Sequence, residues 1–597
     1  MERILIVVGA VLLIATVTDI APRFRIPPPL ALVVIGAVIG VMPFVAEIHL
    51  DPEWILVGVL PPLLYATAVQ MPAMDFRRDF GAISALSVLL VLISSVLLGV
   101  FFMLVIPGIG LAAGIALGAI VSPTDAVATS IAKRMGVPAR VTAVLEGESM
   151  LNDATALVLL RGAVAAMAST ISFAGLAFDF AYAVVAAVAI GVVVGVLNLR
   201  IRSRITNAAA NTAISFTVPY LAYLPAEELG ASGLVAAVTA GLITGAGAAR
   251  WLTPQHRSSD AQNWQTVALI AEGGVFLLMG LELWGLMIDV HRDHSGVWRA
   301  VWIGLAALLV TILIRAVYVV PLTRWLDARR KRGNELRPIL EGFTVTPNDD
   351  GTVQISPIRR RRARWKWRFG LRRRPQDITQ MPAMSPETAD RINSRITRTL
   401  ADIDYYTAAP LGPKEAVIVV WAGLRGVVTV AAAQTLPADT HARSLLVLIA
   451  FVVAAASLLL QGGTLPWLIR RLRLVDTSDD ITAERLRLRA ELDRTAQDVM
   501  ATSEDVNRIP WLRPRVEQVN RDADEADDAD EVPGATTPYG MSPEDRAKIR
   551  AVRRQIIEAQ RRELLKFRRE GVYSSAVLSR ALRQLDAEEI SLDSQST

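Results

Sequence analysis

The sequence predicts an all-α polytopic membrane protein of about thirteen transmembrane helices followed by a helical soluble tail. Three observations carry that expectation. Hydrophobic residues make up 52% of the 597 and charged ones only 20%, with a mean hydropathy of +0.40, values typical of chains solvated largely by lipid. Apolar stretches long enough to cross a bilayer recur through the first 470 residues, separated mostly by short loops. After Leu474 they stop, and charged segments with helical periodicity take over.

In order, the hydrophobic segments run 4–21, 28–46, 53–71, 80–106, 109–132, 141–167, 174–199, 208–224, 231–248, 264–288, 298–321, 414–436 and 443–462. The first has no small-residue cleavage site before Asp19 and is long enough to span, so it is expected to be retained and not removed as a signal peptide. Orientation follows from the loops, because Lys and Arg collect on the cytoplasmic side. Alternate loops hold Arg23 and Arg25, then Arg77 and Arg78, then Lys133, Arg134 and Arg140, then Arg200, Arg202 and Arg204, then Arg250 and Arg257. The opposite loops hold Glu47, Asp51 and Glu53, then Glu227 and Glu228, with Arg292 and Arg299 as exceptions. This asymmetry places the N-terminus outside a cell membrane and the C-terminus in the cytoplasm.

Two segments are interrupted at mid-depth. In the fifth, Pro123 removes a backbone donor and disfavours helix at Ser122, freeing backbone polar groups near Thr124 and Asp125 where lipid cannot satisfy them. In the twelfth, Gly423 and Gly426 flank Arg425 and weaken the helix at matching depth. Paired broken helices are the sequence pointer to a transport site, since half-helix ends coordinate ions. The two are seven segments apart, a spacing that permits two six-segment repeats, 1 to 6 and 8 to 13.

The expected domains are transmembrane 1–326, a polar insert 327–412, transmembrane 413–470 and a cytoplasmic, mostly helical tail 471–597. Within the insert, Arg359 to Arg374 contains ten basic residues in sixteen, interleaved with Trp365, Trp367 and Phe369. On a cytoplasmic face this reads either as a clamp on anionic lipid headgroups or as a basic loop that only enforces topology. The net charge of +5, from 62 basic and 57 acidic residues, describes such loops and the tail, and no nucleic acid partner is expected. In the tail, 480–503 is helical in period, 521–531 is an acidic linker with seven carboxylates, and Ser542-Pro543 opens a charged helix to about 570. With no cysteine, the chain can form no disulfide and use no thiol chemistry. No phosphate-binding loop, zinc-helix motif or nucleophile elbow points to an enzyme.

The stretch Glu146-Gly-Glu-Ser-Met-Leu-Asn-Asp-Ala-Thr155 is too polar for a lipid-facing helix. Asp153 lies roughly 18 Å along its segment, near the midplane of a hydrocarbon core about 30 Å thick, where an ionisable group is a functional candidate. Ser149 and Asp153 share one helix face, and Glu148 and Asn152 the adjacent one.

This stretch, with Ser122-Pro-Thr-Asp-Ala-Val127 and Gly423-Leu-Arg-Gly426 each in the middle of its own segment, resembles the monovalent cation:proton antiporter family, the NhaP-like and NHE-like sodium/proton exchangers. The resemblance covers roughly residues 1 to 470 and implies inverted repeats with crossing unwound helices 5 and 12, and a homodimer working by alternating access. It implies that Asp153 binds the monovalent cation and carries the proton, with Asn152 marking the electroneutral branch and Ser149, Thr124 and Asp125 as further ligands. Ala126 stands where the family motif has proline, and Asp125 reads equally as a counter-charge for exposed helix N-termini. A structural ion pair between Glu148 and Arg425 is also implied. Glu272 and Arg315, the other mid-membrane charges, read either as a second pair or as groups facing water singly. After Leu60-Pro-Pro-Leu-Leu64, many relatives carry an acidic residue a few positions on, whereas this chain reads Tyr65-Ala-Thr-Ala68. Asp289, His291, Asp293 and His294 form an outer cluster that reads as a solvated loop before a metal site.

The expected function is exchange of Na+ (or Li+, or K+) for H+, electroneutral at one to one, serving pH and sodium homeostasis, with the ions as substrates and no cofactor. A potassium/proton exchanger of the same fold is one alternative. A receptor or channel whose buried charges are structural is the alternative of another class.

Overall fold

The computed structural model describes residues 2–24, 26–42, 54–168, 173–292, 296–341, 345–347, 353–355, 386–474, 478–502 and 543–594. The basic stretch 359–374, the acidic run 521–531, Asp293 and His294 lie outside these residues. The chain divides into two compact units, Met1–Thr323 with Leu411–Asp476 and Arg324–Pro410 with Thr477–Thr597.

The first unit is built from helices. They are α1 (Glu2–Ile20), α2 (Pro28–Gly40), α3 (Leu60–Gln70, entered through a π turn Trp54–Val59) and α4 (Ala73–Ser84), which runs through a π segment into α5 (Leu90–Val105). Then come α6 (Leu111–Val121), α7 (Val127–Arg134), α8 (Ala139–Ala168), α9 (Phe173–Arg202), α10 (Ala208–Glu228), α11 (Gly233–Trp251), α12 (Pro254–Arg292) and α13 (Val297–Glu341). After α14 (Pro386–Ala408) of the second unit, the first resumes with α15 (Pro413–Trp421), α16 (Val427–Gln434) and α17 (Arg443–Ser457), which continues through a π turn into α18 (Gly463–Leu472).

Every expected hydrophobic segment falls on one of these helices or on a pair of half-helices. Among the described residues, eight helices are long and apolar enough to cross a membrane. The other five expected segments are short (α2, α3), broken (α6 with α7, α15 with α16) or carry internal prolines (Pro219 and Pro225 in α10). Proline at the first or second helical position opens α2, α3 and α15, where its missing amide hydrogen costs nothing.

Close approach of backbones compensates for the weak drive to bury apolar surface when the solvent is lipid. α2 and α12 meet at Gly36 and Gly280, where a β-carbon on Gly36 would stand 3.0 Å from the Gly280 Cα. The main buried cluster joins Leu64 and Tyr65 of α3, Leu117 and Ile120 of α6, Met150 and Ala154 of α8 and Ile449 of α17, and so places the two broken segments in the densest part of the unit.

The second unit holds α14, a two-stranded antiparallel hairpin of β1 (Val345–Pro347) and β2 (Val353–Ile355), and the tail helices α19 (Ser478–Thr502), α20 (Pro543–Glu570) and α21 (Ser575–Ser594). α19 and α20 bury Ala496 and Met500 against Val552 and Ile556. Ion pairs tie α20 to α21, with Arg554 on Asp593 at 2.7 Å and Arg561 on Asp586 at 3.0 Å and Glu589 at 2.5 Å. The hairpin and α21 were not foreseen. The tail helices 478–502 and 543–570 lie where periodicity and the Ser542-Pro543 cap place them.

Candidate functional site

Pro123 is where the fifth segment loses its helix: α6 ends at Val121 and α7 begins at Val127. The twelfth ends its first half at Trp421 and restarts at Val427. The two breaks meet. The amide of Asp125 donates to the carbonyl of Leu424 at 2.7 Å, and a β-carbon on Gly426 would collide with the Asp125 carboxylate. Only glycine fits there.

Two side chains compensate the helix ends that the breaks expose. Arg425, 2% exposed, donates from Nε to the Val121 carbonyl at 3.0 Å, from Nη2 to Ser122 at 3.4 Å and from Nη1 to Gly423, covering bare carbonyls where α6 ends and just after α15. Its amide donates to Ser457 Oγ at 2.8 Å; that hydroxyl donates to Gln461 Oε1 at 2.8 Å, and Gln461 Nε2 donates to the Trp421 carbonyl at 3.1 Å. At the opposite ends, Asp125 Oδ1 accepts the amide of Val127 at 3.1 Å, capping α7, and the same carboxylate rests against Gly426 before α16. The counter-charge reading of Asp125 thus has a concrete geometry.

The buried ion pairs differ from those expected. Glu148 pairs with Arg315, not Arg425: Nη1 reaches Oε1 and Nη2 reaches Oε2 at 2.8 Å, both side chains being almost fully buried. Arg315 enters from α13 past Gly423, where a β-carbon would stand 2.8 Å from its Cδ, and its Nε donates to the Val419 carbonyl at 2.9 Å. Arg425 is drawn instead to the helix-end carbonyls, and Glu272 is left without Arg315. The Glu148 carboxylate also accepts from the Thr124 hydroxyl at 3.2 Å. That hydroxyl in turn accepts from Asn152 Nδ2 at 2.6 Å, and the Thr124 carbonyl accepts from the same amide at 3.4 Å.

Beside this network lies a cavity of about 110 Å³. Thr67, Thr124, Asp125, Ser149, Asp153, Glu272 and Thr429 supply its side-chain oxygens, and Leu60, Leu64, Met150 and Phe276 are among its apolar walls. Asp153 is 8% exposed and, among the described residues, has no hydrogen bond or ion pair. One turn earlier on the same face, Ser149 donates its hydroxyl to the Glu146 carbonyl at 3.2 Å, which aims its lone pairs elsewhere. Asn152, wholly buried, does not line the cavity; it stands behind it, holding Thr124.

A cluster of oxygen-bearing side chains on an otherwise apolar wall, with room for more than one water, suits a small hard cation that keeps part of its hydration. Among the described residues, no three His, Cys, Asp or Glu side chains converge tightly enough to chelate a metal ion. Sequence reasoning missed the Ser457–Gln461 latch, although two polar residues four apart in an apolar span are a signal of a shared polar face. It also missed Thr429 and the Asp125–Leu424 backbone link, which no spacing reveals.

Comparison with known proteins adds a family match, three relatives and a solved structure of the same fold. A family model described as sodium/hydrogen exchanger, transmembrane, matches residues 9–344 and 396–471. An uncharacterised Na+/H+ exchanger of Escherichia coli (strain K12) is 35% identical over 293 residues, 48% of this chain and 53% of that one. One of Mycobacterium tuberculosis (strain H37Rv) is 25% identical over 600 residues, 99% of this chain and 96% of that one. A sodium, potassium, lithium and rubidium/H+ antiporter of Bacillus subtilis (strain 168) is 30% identical over 303 residues, 49% of this chain and 45% of that one. Among solved structures, the sodium proton antiporter MjNhaP1 of Methanocaldococcus jannaschii shares the fold, with a TM-score of 0.54 at 17% identity over 80% of this chain and 99% of that one.

Proposed function

This chain belongs to the sodium/hydrogen exchanger family, and from that premise we propose that it exchanges sodium, lithium or potassium for protons, one for one, by alternating access. Membership in a family of transporters sets aside the enzyme, receptor and channel readings. The ions are the substrates. The observation that carries the proposal is Asp153, a buried, unpartnered carboxylate beside the crossing of two broken helices, on a cavity that several other oxygen-bearing side chains also line.

A carboxylate in that position is costly to leave ionised and alone. Either a proton or a monovalent cation relieves the cost, and each excludes the other. Binding the cation on one side and the proton on the other then couples the two fluxes. Asp125, Thr124 and Ser149 are the proposed neighbouring ligands, and Asn152 the non-titrating prop that orients Thr124. Because Asp153 is neutralised by a single charge in either direction, the cycle is electroneutral.

The same reading extends to the whole molecule. The loop charges favour a cell membrane protein with its N-terminus outside and C-terminus inside, acting as a homodimer in pH and sodium homeostasis. The basic stretch 359–374 serves as an anionic lipid clamp. Potassium stays among the proposed substrates because the B. subtilis relative's name includes it.

The test is sodium-driven proton flux in proteoliposomes, with Asp153→Asn beside the wild type. The variant should insert and fold yet carry no flux. Sodium-dependent flux in Asp153→Asn would refute the assignment. Imposing a potential of about 100 mV, worth about 2.3 kcal/mol per charge moved, should leave the wild-type steady-state rate unchanged; a shift would show a second transported charge.

A further inference from the structure

Glu272, on α12, lines the same cavity as Asp153 on α8. The charges electrostatically coupled to it are Asp125 and Arg134. Arg134 closes the last turn of α7, where its guanidinium donates to Ser130, the carbonyl at 3.3 Å and the hydroxyl at 3.3 Å. Lys133 is held by Glu146 at 2.8 Å. Arg315 and Arg425 are committed to Glu148 and to carbonyls. Among the described residues, Glu272 therefore has no hydrogen bond or ion pair, and every basic group nearby is engaged elsewhere.

Ala126, which lines the cavity, is exposed, and exposure continues at Ser130, Lys133 and Arg134 down α7. On α12, Ala268 and Glu272 line the cavity, and Gln265, on the same helical stripe nearer the helix start, is exposed. Glu272, half-buried, thus lies on the stripe that runs from exposed Gln265, whereas Asp153 is buried.

We propose that Glu272 is a second cation-attracting carboxylate of the cavity that holds Asp153, one that raises the hold on the incoming monovalent cation through its remaining water. The inference rests on the exchange reading above. Asp153 is over nine-tenths buried, unpartnered and on the wall of the same cavity, so Glu272 faces a space that already holds a group able to bind the cation. Among the described residues, no three carboxylates or histidines form a chelate, so on this reading Glu272 acts on the cation by its charge and not as one of a set of direct ligands.

The experiment compares wild type with Glu272→Gln, Glu272→Asp and Asp153→Asn in proteoliposomes, measuring initial proton flux against sodium concentration. Removing one charge at partly hydrated range should raise the apparent KM for sodium about tenfold while the saturating rate stays within about twofold, since tenfold is the size of one such interaction and the carrier group is intact. Glu272→Asp should recover most of the affinity. Unchanged KM in Glu272→Gln, or loss of saturating flux in a variant that melts like the wild type, overturns the inference. So does a raised KM that Glu272→Asp fails to correct. Flux that persists in Asp153→Asn instead sinks the exchange assignment itself, whatever the Glu272 variants do.

Discussion

The pairing of Glu148 with Arg315 makes a quantitative prediction that separates it from the pairing with Arg425 implied by family resemblance. The pair is bidentate, its side chains 2% and 3% exposed, and the Thr124 hydroxyl completes the carboxylate's shell. Truncating one partner of such a pair leaves an uncompensated buried charge, at a cost of about 3–5 kcal/mol. Arg315→Met should therefore shift the folding equilibrium by roughly two orders of magnitude or more, since about 1.4 kcal/mol is a factor of ten. Glu148→Gln should cost similarly, because Arg315 would keep only the Val419 carbonyl. The double variant should cost much less than the sum, with a coupling of about 2–3 kcal/mol. A parallel cycle of Glu148→Gln with Arg425→Met should show a smaller coupling, because Arg425 spends its donors on the carbonyls of Val121, Ser122 and Gly423. The assay is detergent-titrated unfolding in mixed micelles for all five variants. A larger coupling with Arg425 than with Arg315 would refute the structural pairing and restore the one expected from resemblance.

Three other outcomes are expected. Gly426→Ala puts a β-carbon into the Asp125 carboxylate, and, overpacking costing about 1–3 kcal/mol, it should lower both thermal stability and exchange rate; wild-type behaviour in both would mean the crossing is looser than described. In the second unit, Glu484 accepts the amide of Ser574 at 2.5 Å and its hydroxyl at 2.7 Å, just before α21. Glu484→Ala should cost about 1 kcal/mol of local stability, read as faster hydrogen exchange in residues 574–578 with proton flux intact. Deleting 359–374 should abolish any dependence of exchange on anionic lipid content while sparing the sodium affinity; identical lipid responses before and after deletion favour a topological spacer.

Much of the architecture was legible because lipid imposes a simple grammar. A backbone that cannot reach water must be helical, so apolar runs of sufficient length located the helices, and Pro123, Gly423 and Gly426 located the two breaks to within a residue or two. The same logic placed Asp153 and Ser149 on one cavity face, since residues four apart on a helix share a side. The partners of buried charges were not legible. Glu148 and Arg315 are 167 positions apart, and nothing in local spacing says which of two arginines reaches a given carboxylate.

What decided between them is a competition the sequence states only indirectly. Breaking two helices at one depth leaves carbonyls and amides with no water to bind, and they must be satisfied before any side chain is free to form an ion pair. Arg425 sits inside one break and within reach of the other, so its guanidinium meets that demand first; Asp125 does the same for the amide ends. Glu148 then takes the cation that arrives from outside the crossing, Arg315, and of the three carboxylates that line the cavity, Asp125 is engaged at the helix ends while Asp153 and Glu272 are left over. The same ordering identifies the functional groups: in a lipid-solvated core, those the backbone and the structural pairs leave unsatisfied are available to a moving ion.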